Sequence, residues 1–156
     1  MSQKVFDRIV SLLRENNISY KLFEHEPVFT SDEAANVRGT NPAAGAKALI
    51  FRADENFIML VLPGNKRVDS KKFKKDFDIK DLRFASPEQV EEITNGVKIG
   101  AVHPIGSLHR LPVYVDPSLG ENEKIVFNAG LHEKSIEIAY RDYIGLVKPK
   151  VANFAV

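Results

Sequence analysis

The sequence predicts a single α+β domain in which a mixed, largely antiparallel sheet is flanked by helices. Three observations carry that prediction. Apolar residues alternate in many short runs, they recur at helical spacing in several others, and the two patterns follow no regular β-α-β rhythm. The chain of 156 residues is long enough to bury a core without staples. No repeat, low-complexity run or linker divides it, so 1–156 reads as one domain.

The elements follow in order. Val5, Ile9, Leu12 and Leu13 recur at helical spacing, with Ser2 as candidate cap and Asn16-Asn17 as the stop, giving an amphipathic first helix. Ile18, Tyr20 and Leu22 alternate with Ser19, Lys21 and Phe23, the period of a short strand, which His25-Glu26-Pro27 ends. Thr30-Ser31-Asp32-Glu33 has the form of a capping box for a short helix through Ala34 and Ala35 that stops before Gly39. After Asn41-Pro42, residues 46–53 and 57–62 read as a hairpin turning at Asp54-Glu55-Asn56. Pro63-Gly64-Asn65 leads into a basic helix over 69–77, with Phe73 and Phe77 one turn apart on its inner face.

A strand at 82–84 precedes a helix capped by Ser86, with Pro87 in its first turn and Asn95-Gly96 at its end. Val113-Tyr114-Val115 is a strand, and so is 124–127 after the Asp116-Pro117 turn. Asn128-Ala129-Gly130 interrupts the pattern where that strand should finish. Residues 135–138 resume it, 140–147 form a closing helical turn, and 148–156 read as a loosely held tail.

Composition excludes several chemistries. The absence of cysteine removes disulfides, thiolate nucleophiles and Cys-ligated zinc or iron-sulfur sites. No apolar run is long enough to span a bilayer, and Met1-Ser2-Gln3-Lys4 lacks the apolar core of a signal peptide, so the expected location is cytoplasmic with no membrane partner. The net charge is only +1, from 22 basic and 21 acidic side chains. Yet Lys66, Arg67, Lys71, Lys72, Lys74 and Lys75 crowd one stretch, offset by Asp69 and Asp76. That stretch is either a solvated helix face or a surface that attracts phosphates.

The densest chemical signal is Gly100-Ala101-Val102-His103-Pro104-Ile105-Gly106. Glycine permits positive φ and close approach of a ligand to the backbone, while Pro104 fixes its own φ and biases His103 toward an extended conformation. Such a segment is either a punctuated turn or a loop that presents main-chain groups to a substrate. Lys47 lies in a predicted strand, facing solvent or, between the small residues Gly45, Ala46 and Ala48, facing a phosphate or ester. Thr30 serves as a cap, and a ligand role is compatible with that. His103 is a pocket-lining or solvent-facing residue, or a general base near neutral pH. His25, His109 and His132 read as surface or turn residues. There is no nucleophile-elbow serine and no His-x-x-x-His metal spacing.

The order His25-Glu26-Pro27-Val28-Phe29-Thr30-Ser31-Asp32-Glu33-Ala34-Ala35, Lys47, Leu62-Pro63-Gly64, the Gly100 to Gly106 loop and Asn128-Ala129-Gly130 resembles the YbaK-type family. These are free-standing homologues of the editing domain inserted in bacterial prolyl-tRNA synthetases. The likeness runs over about 6–147, nearly the whole chain, and its specificity lies in the order and spacing of individually weak motifs. The resemblance implies a mixed α/β editing fold, no metal or other cofactor, and hydrolysis of mischarged aminoacyl-tRNA, typically tRNA for proline carrying cysteine, alanine or a similar small residue. By the same resemblance Lys47 contacts the terminal adenosine or its phosphate, and Gly100 opens a Gly-x-x-x-Pro loop, closed by Pro104, whose main chain holds the ester or the attacking water. Thr30 lies near the pocket. Ala101, His103, Gly106, Asn128 and Gly130 complete the implied substrate-binding set. His103 and Ile105 depart from the residues relatives often carry there, which leaves pocket shape open. The rival expectation is a non-catalytic module that holds the acceptor end of tRNA or docks on prolyl-tRNA synthetase.

Overall fold

The structure, a computed structural model, describes residues 2–28 and 30–156, without the side chains of Ser2 and Ser31. The cap expected from Ser2 and the motif position of Phe29 therefore lie outside the described groups. In chain order the strands are β1 (Lys21–Glu24), β2 (Ala46–Ala53), β3 (Asn56–Pro63), β4 (Leu82–Phe84), β5 (Val113–Val115), β6 (Lys124–Leu131), β7 (Lys134–Ala139) and β8 (Lys150–Val151). The helices are α1 (Ser2–Glu15), α2 (Ser31–Arg38), α3 (Ser70–Asp76), α4 (Pro87–Ile93) and α5 (Tyr140–Val147). This is an α+β architecture with mixed, largely antiparallel pairing. The strands divide into an antiparallel sheet of order β1-β7-β6 and a sheet of order β4-β2-β3-β5-β8, in which β3, β5 and β8 run parallel. A bridge between Gly45 and Val126 links the two sheets.

The hairpin strand β3 organises the core because both its faces are covered. Met59 and Val61 point into the larger cluster with Val5, Ile9 and Leu13 of α1, while Leu60 and Leu62, one residue out of phase, point into a second cluster with Phe73 and Phe154. All four β3 side chains are fully buried, which contributes about 1.5–3 kcal/mol each relative to exposure. Continuous apolar sequence is the signature of a strand covered on both faces. Among the described residues no helix is long and apolar enough to cross a membrane.

The tail is held, contrary to the expectation for 148–156. Phe154 is 1% exposed and meets the Phe73 ring edge-on at 5.7 Å between centroids. The Phe154 and Ala155 N–H groups donate to Asp116 Oδ1 at 2.8 and 2.9 Å, and Val156 exchanges main-chain hydrogen bonds with Arg67 at 2.8 and 3.0 Å. Burial alone would raise the Asp116 pKa, but the Ser118 hydroxyl and the N–H groups of Phe154, Ala155 and Ser118 hold it below its ordinary value. A short apolar segment looks loose when its partners lie far away in sequence.

Two other boundaries move. The first strand begins at Lys21 because Asn17 turns at φ 54° and the Ile18 N–H closes α1 on the Leu13 carbonyl at 2.9 Å, leaving Ile18 and Tyr20 in the connection. Residues 128–130 do not end β6; the strand continues to Leu131 through a register shift between Asn128 and Leu131, with Gly130 at φ +86°. A bulge of this kind re-aims a side chain without ending the strand.

Candidate functional site

A cleft of about 60 Å³ opens between α2, the short 3-10 turn Pro42–Ala44, the start of β2, β6 and Val102. Thr30, Arg38, Lys47 and Asn128 bring polar groups to it, and Ala34, Ala35, Val102 and Val126 bring apolar ones. Local sequence builds these walls. Thr30 Oγ1 accepts the Glu33 N–H at 3.1 Å and starts α2, and Gly39 at φ 70° ends it. Asn41 Oδ1 accepts the Ala43 N–H at 2.9 Å and shapes the turn that delivers Gly45 and Lys47. A larger groove of about 550 Å³ lies between β1, β7 and the start of α5, and none of the sequence-predicted site residues lines it.

Lys47 is half-buried and its Nζ donates to the Lys66 carbonyl. Burial first, and then the neighbouring Arg67, push its pKa down. That contact brings the start of the basic 66–75 stretch to the cleft. On the opposite wall a chain of hydrogen bonds runs from the loop to β1. Asn128 Nδ2 donates to the Gly100 carbonyl at 2.7 Å, and Asn128 Oδ1 accepts from Arg38 Nη2 at 3.0 Å. Arg38 Nε donates to Ser135 Oγ at 2.9 Å. His25 Nδ1 lies 2.7 Å from the Glu26 carbonyl, so Nδ1 carries the proton and Nε2 accepts the Ser135 hydroxyl at 2.8 Å. Desolvation lowers the Arg38 pKa to about 10, which leaves it charged at neutral pH, and no carboxylate among the described residues pairs with it.

Of the sequence-predicted residues, Thr30, Lys47 and Asn128 line the cleft, and Gly100 is tied to it through Asn128. Gly100 is exposed, sits at φ +91°, and would place a methyl 3.3 Å from His132 Nε2. Its N–H and that of Val102 have no hydrogen-bond partner among the described residues. Ala101 is buried, with its N–H on the Lys98 carbonyl at 3.0 Å and its carbonyl accepting the Gly130 N–H at 3.2 Å.

The rest of the loop is core. His103 is 0% exposed, its Nδ1 accepts the Ile105 N–H at 3.1 Å, and its Nε2–H therefore donates to His109 Nε2 at 2.8 Å. Burial first, then His109 and Arg8, lower its pKa to about 3, so it is neither a pocket wall nor a base poised near neutrality. Pro104 is buried and its carbonyl accepts the Tyr143 hydroxyl at 2.8 Å. A methyl on Gly106 would meet Val113 Cγ2 at 2.6 Å, and one on Gly130 would meet Val5 Cγ1 at 3.2 Å, so these glycines serve close packing and do not line the cleft.

Sequence reading passed over Arg38, Val102 and Val126. For Arg38 a signal exists: Ala34 and Ala35 occupy the positions one turn earlier on α2, so no acidic partner sits beside its charge on the helix. No group of three or more His, Asp or Glu side chains among the described residues is placed to hold a metal.

Known proteins share this architecture and sequence. A protein of Escherichia coli K12 named multifunctional Ser/Thr-tRNA deacylase ProXp-y is 29% identical over 152 residues, covering 94% of this chain and 90% of that one. The proline--tRNA ligase of Caldicellulosiruptor bescii is 30% identical over 115 residues, 72% of this chain and 20% of the ligase. A crystal structure described as a proposed trans-editing enzyme for prolyl tRNA synthetase superposes with a TM-score of 0.85 and 25% identity over 97% of both chains. The aminoacyl-tRNA editing domain model matches residues 25–146, which contain the whole cleft and its hydrogen-bond chain. The protein thus belongs to the aminoacyl-tRNA editing domain family, whose members hydrolyse the aminoacyl ester.

Proposed function

We propose that this protein acts in trans on mischarged tRNA, releasing a small amino acid, with serine and threonine favoured over alanine and cysteine. The observation that carries this reading is the hydrogen bond from Asn128 to the Gly100 carbonyl, which ties a positive-φ loop to the cleft that Lys47 lines. The cleft is small, about 60 Å³, in keeping with a short side chain. Polar lining by Thr30 and Asn128 supports a preference for a hydroxyl, and so does the name of the E. coli relative. The basic 66–75 stretch, joined to the cleft at Lys66, supports contact with the phosphates of an acceptor end. The tRNA body is proposed to be that of proline, with prolyl-tRNA synthetase as the partner that generates the mischarged substrate in the cytoplasm.

An aminoacyl ester is already activated, so hydrolysis needs a positioned water and stabilisation of developing charge more than a strong side-chain nucleophile. In this mechanism Lys47 holds the terminal phosphate or adenosine, and the free N–H groups of Gly100 and Val102 face the ester and the water. Water oxygen bonds to the carbonyl carbon and the carbonyl electron pair moves onto its oxygen. The tetrahedral species then collapses, breaking the bond to the ribose oxygen, which takes one proton of the water. The amino acid leaves as its acid and loses its remaining carboxyl proton to solvent.

The test is deacylation of tRNA(Pro) and other tRNAs charged with serine, threonine, alanine or cysteine, with Pro-tRNA(Pro) as control. Enzyme-dependent release of serine and threonine with the control left intact is the expected result. Tight binding of the acceptor end without release of any amino acid would establish the binding-module reading instead.

A further inference from the structure

Among the described residues, Arg38 is the one charged group of the cleft that the reaction above leaves unused. Its guanidinium is a planar fork of N–H donors, and two of them are taken, by Ser135 Oγ at 2.9 Å and Asn128 Oδ1 at 3.0 Å. Nη1 has no partner among the described residues and lies beside Gly45 of the cleft wall, where a methyl would sit 3.9 Å from it. Glycine at that position leaves no side chain against Nη1.

The two groups that hold the guanidinium are themselves held. Ser135 is 0% exposed and donates to His25, and the Asn128 amide donates to the Gly100 carbonyl. One amide thus fixes both the cation and the loop, which sets their donors in a common register. A desolvated cation with no carboxylate partner is costly unless something negative meets it. The α-ammonium of an aminoacyl ester would be repelled there. The tRNA phosphates have Lys47 and the basic stretch at the cleft edge.

We propose that Arg38 is a catalytic residue whose Nη1 donors stabilise the oxyanion that develops on the ester carbonyl oxygen, with Ser135 and Asn128 as the positioning residues that aim it. This rests on the hydrolytic reading above. No proton is transferred to or from Arg38; it meets the carbonyl oxygen as the water adds and releases it when the ribose oxygen departs. Donors prealigned on charge that appears only in the transition state raise kcat and leave ground-state affinity nearly unchanged.

The experiment compares wild type with Arg38→Met, Arg38→Lys and Ser135→Ala, using circular dichroism to confirm folding. On the best substrate of the panel, Arg38→Met should lower kcat by about 100-fold or more with little change in KM. In a further variant, Arg38→Ala, whose truncation leaves room for it, methylguanidinium should restore part of the lost rate where ammonium at equal ionic strength does not, an outcome a purely structural role would not produce. Arg38→Lys should remain impaired because an ammonium cannot serve Ser135, Asn128 and the substrate from one plane, and Ser135→Ala should lose less. A second arm is independent of turnover. Two 3′-seryl-adenosine analogues lacking a 5′-phosphate, one with an anionic tetrahedral phosphonate and one with a neutral amide in place of the ester, are bound at equilibrium. Wild type should prefer the phosphonate, and Arg38→Met should lose the preference. An inactive wild type that keeps an Arg38-dependent preference would sink the hydrolytic reading and support the Arg38 site. Unchanged kcat in Arg38→Met, a loss confined to KM and sensitive to salt, or no phosphonate preference in wild type would each overturn the proposal.

Discussion

Asn128 and Gly100, 28 positions apart, meet through a 2.7 Å hydrogen bond from the Asn128 amide to the Gly100 carbonyl. The bulged end of β6 and the turn after α4 are joined there, and Gly100 is fixed at φ +91° with its N–H unpaired among the described residues. The same amide accepts from Arg38, so loop, cleft wall and cation move together or not at all.

Gly100→Ala tests the loop. Positive φ at a non-glycine residue costs about 1–3 kcal/mol, and the methyl would crowd His132 Nε2 at 3.3 Å. Alanine keeps the N–H, but its methyl obstructs the ester and shifts that donor, so the expected protein is folded, with a melting temperature lowered by several degrees and deacylation slowed by about 100-fold, the scale on which a misplaced oxyanion donor acts. Full activity in the folded variant would refute a main-chain role for the loop.

Lys47 separates specific contact from diffuse attraction. Lys47→Ala should reduce deacylation strongly at every salt concentration. Lys71→Ala or Lys74→Ala should reduce it mildly, and the difference from wild type should shrink as salt rises, because exposed charges are screened. Rates measured between low and high salt would show three equal, modest, salt-sensitive effects if no single lysine mattered.

The buried histidine pair predicts acid sensitivity of the fold. Burial holds His103 at about 3 and His109 at about 4, each with Arg8 as the adjacent cation, whereas an unfolded histidine titrates near 6.5. As pH falls below about 6.5 the unfolded chain takes up protons that the native state refuses. Stability is therefore full above that pH and declines toward pH 4, with a slope on the order of 1 kcal/mol per pH unit from His103 and less from the more open His109. Urea melts from pH 7 to 5 should show the decline, and His109→Gln should flatten it only in part, because His103 remains buried. A pH-independent wild type would contradict the neutral pair.

Asp116 should anchor the C-terminal segment. Asp116→Ala leaves the Phe154 and Ala155 N–H groups without their acceptor and should cost roughly 2–4 kcal/mol. Amide exchange at those two residues should accelerate ahead of global unfolding. Because its pKa is held below the ordinary carboxylate value, the anchor is complete above that value and is lost only as pH drops through the lowered one. Exchange rates unchanged in Asp116→Ala would show that Phe154 alone holds the tail.

Local rules made much of this fold legible. The Thr30 and Ser86 caps, the hairpin expected over 46–53 and 57–62 and the closing helix α5 each obey chemistry contained within a few residues, and the structure follows them closely. Motif order also pointed to Lys47, Asn128 and Gly100: each motif is weak alone, and it was their order and spacing, through the resemblance to the YbaK-type family, that singled them out. Arg38 was overlooked since an arginine in the last turn of a helix already has an adequate local explanation in the helix dipole.

By itself, then, the sequence determined the class of fold, most element boundaries and three of the polar residues that line the cleft, Thr30, Lys47 and Asn128, all of which depend on periodicity, neighbours and motif order. Only the tertiary structure decided that His103, Pro104 and Gly106 face the core, that 152–156 is pinned by Asp116 and Phe73, and that Arg38 lines the cleft beside Asn128. Several of those outcomes depend on partners far away in sequence, 38 positions for Asp116 and Phe154 and 90 for Arg38 and Asn128. A side chain's direction in an irregular loop is set by which distant surface closes over it, and that information resides in packing, not in the order of adjacent residues.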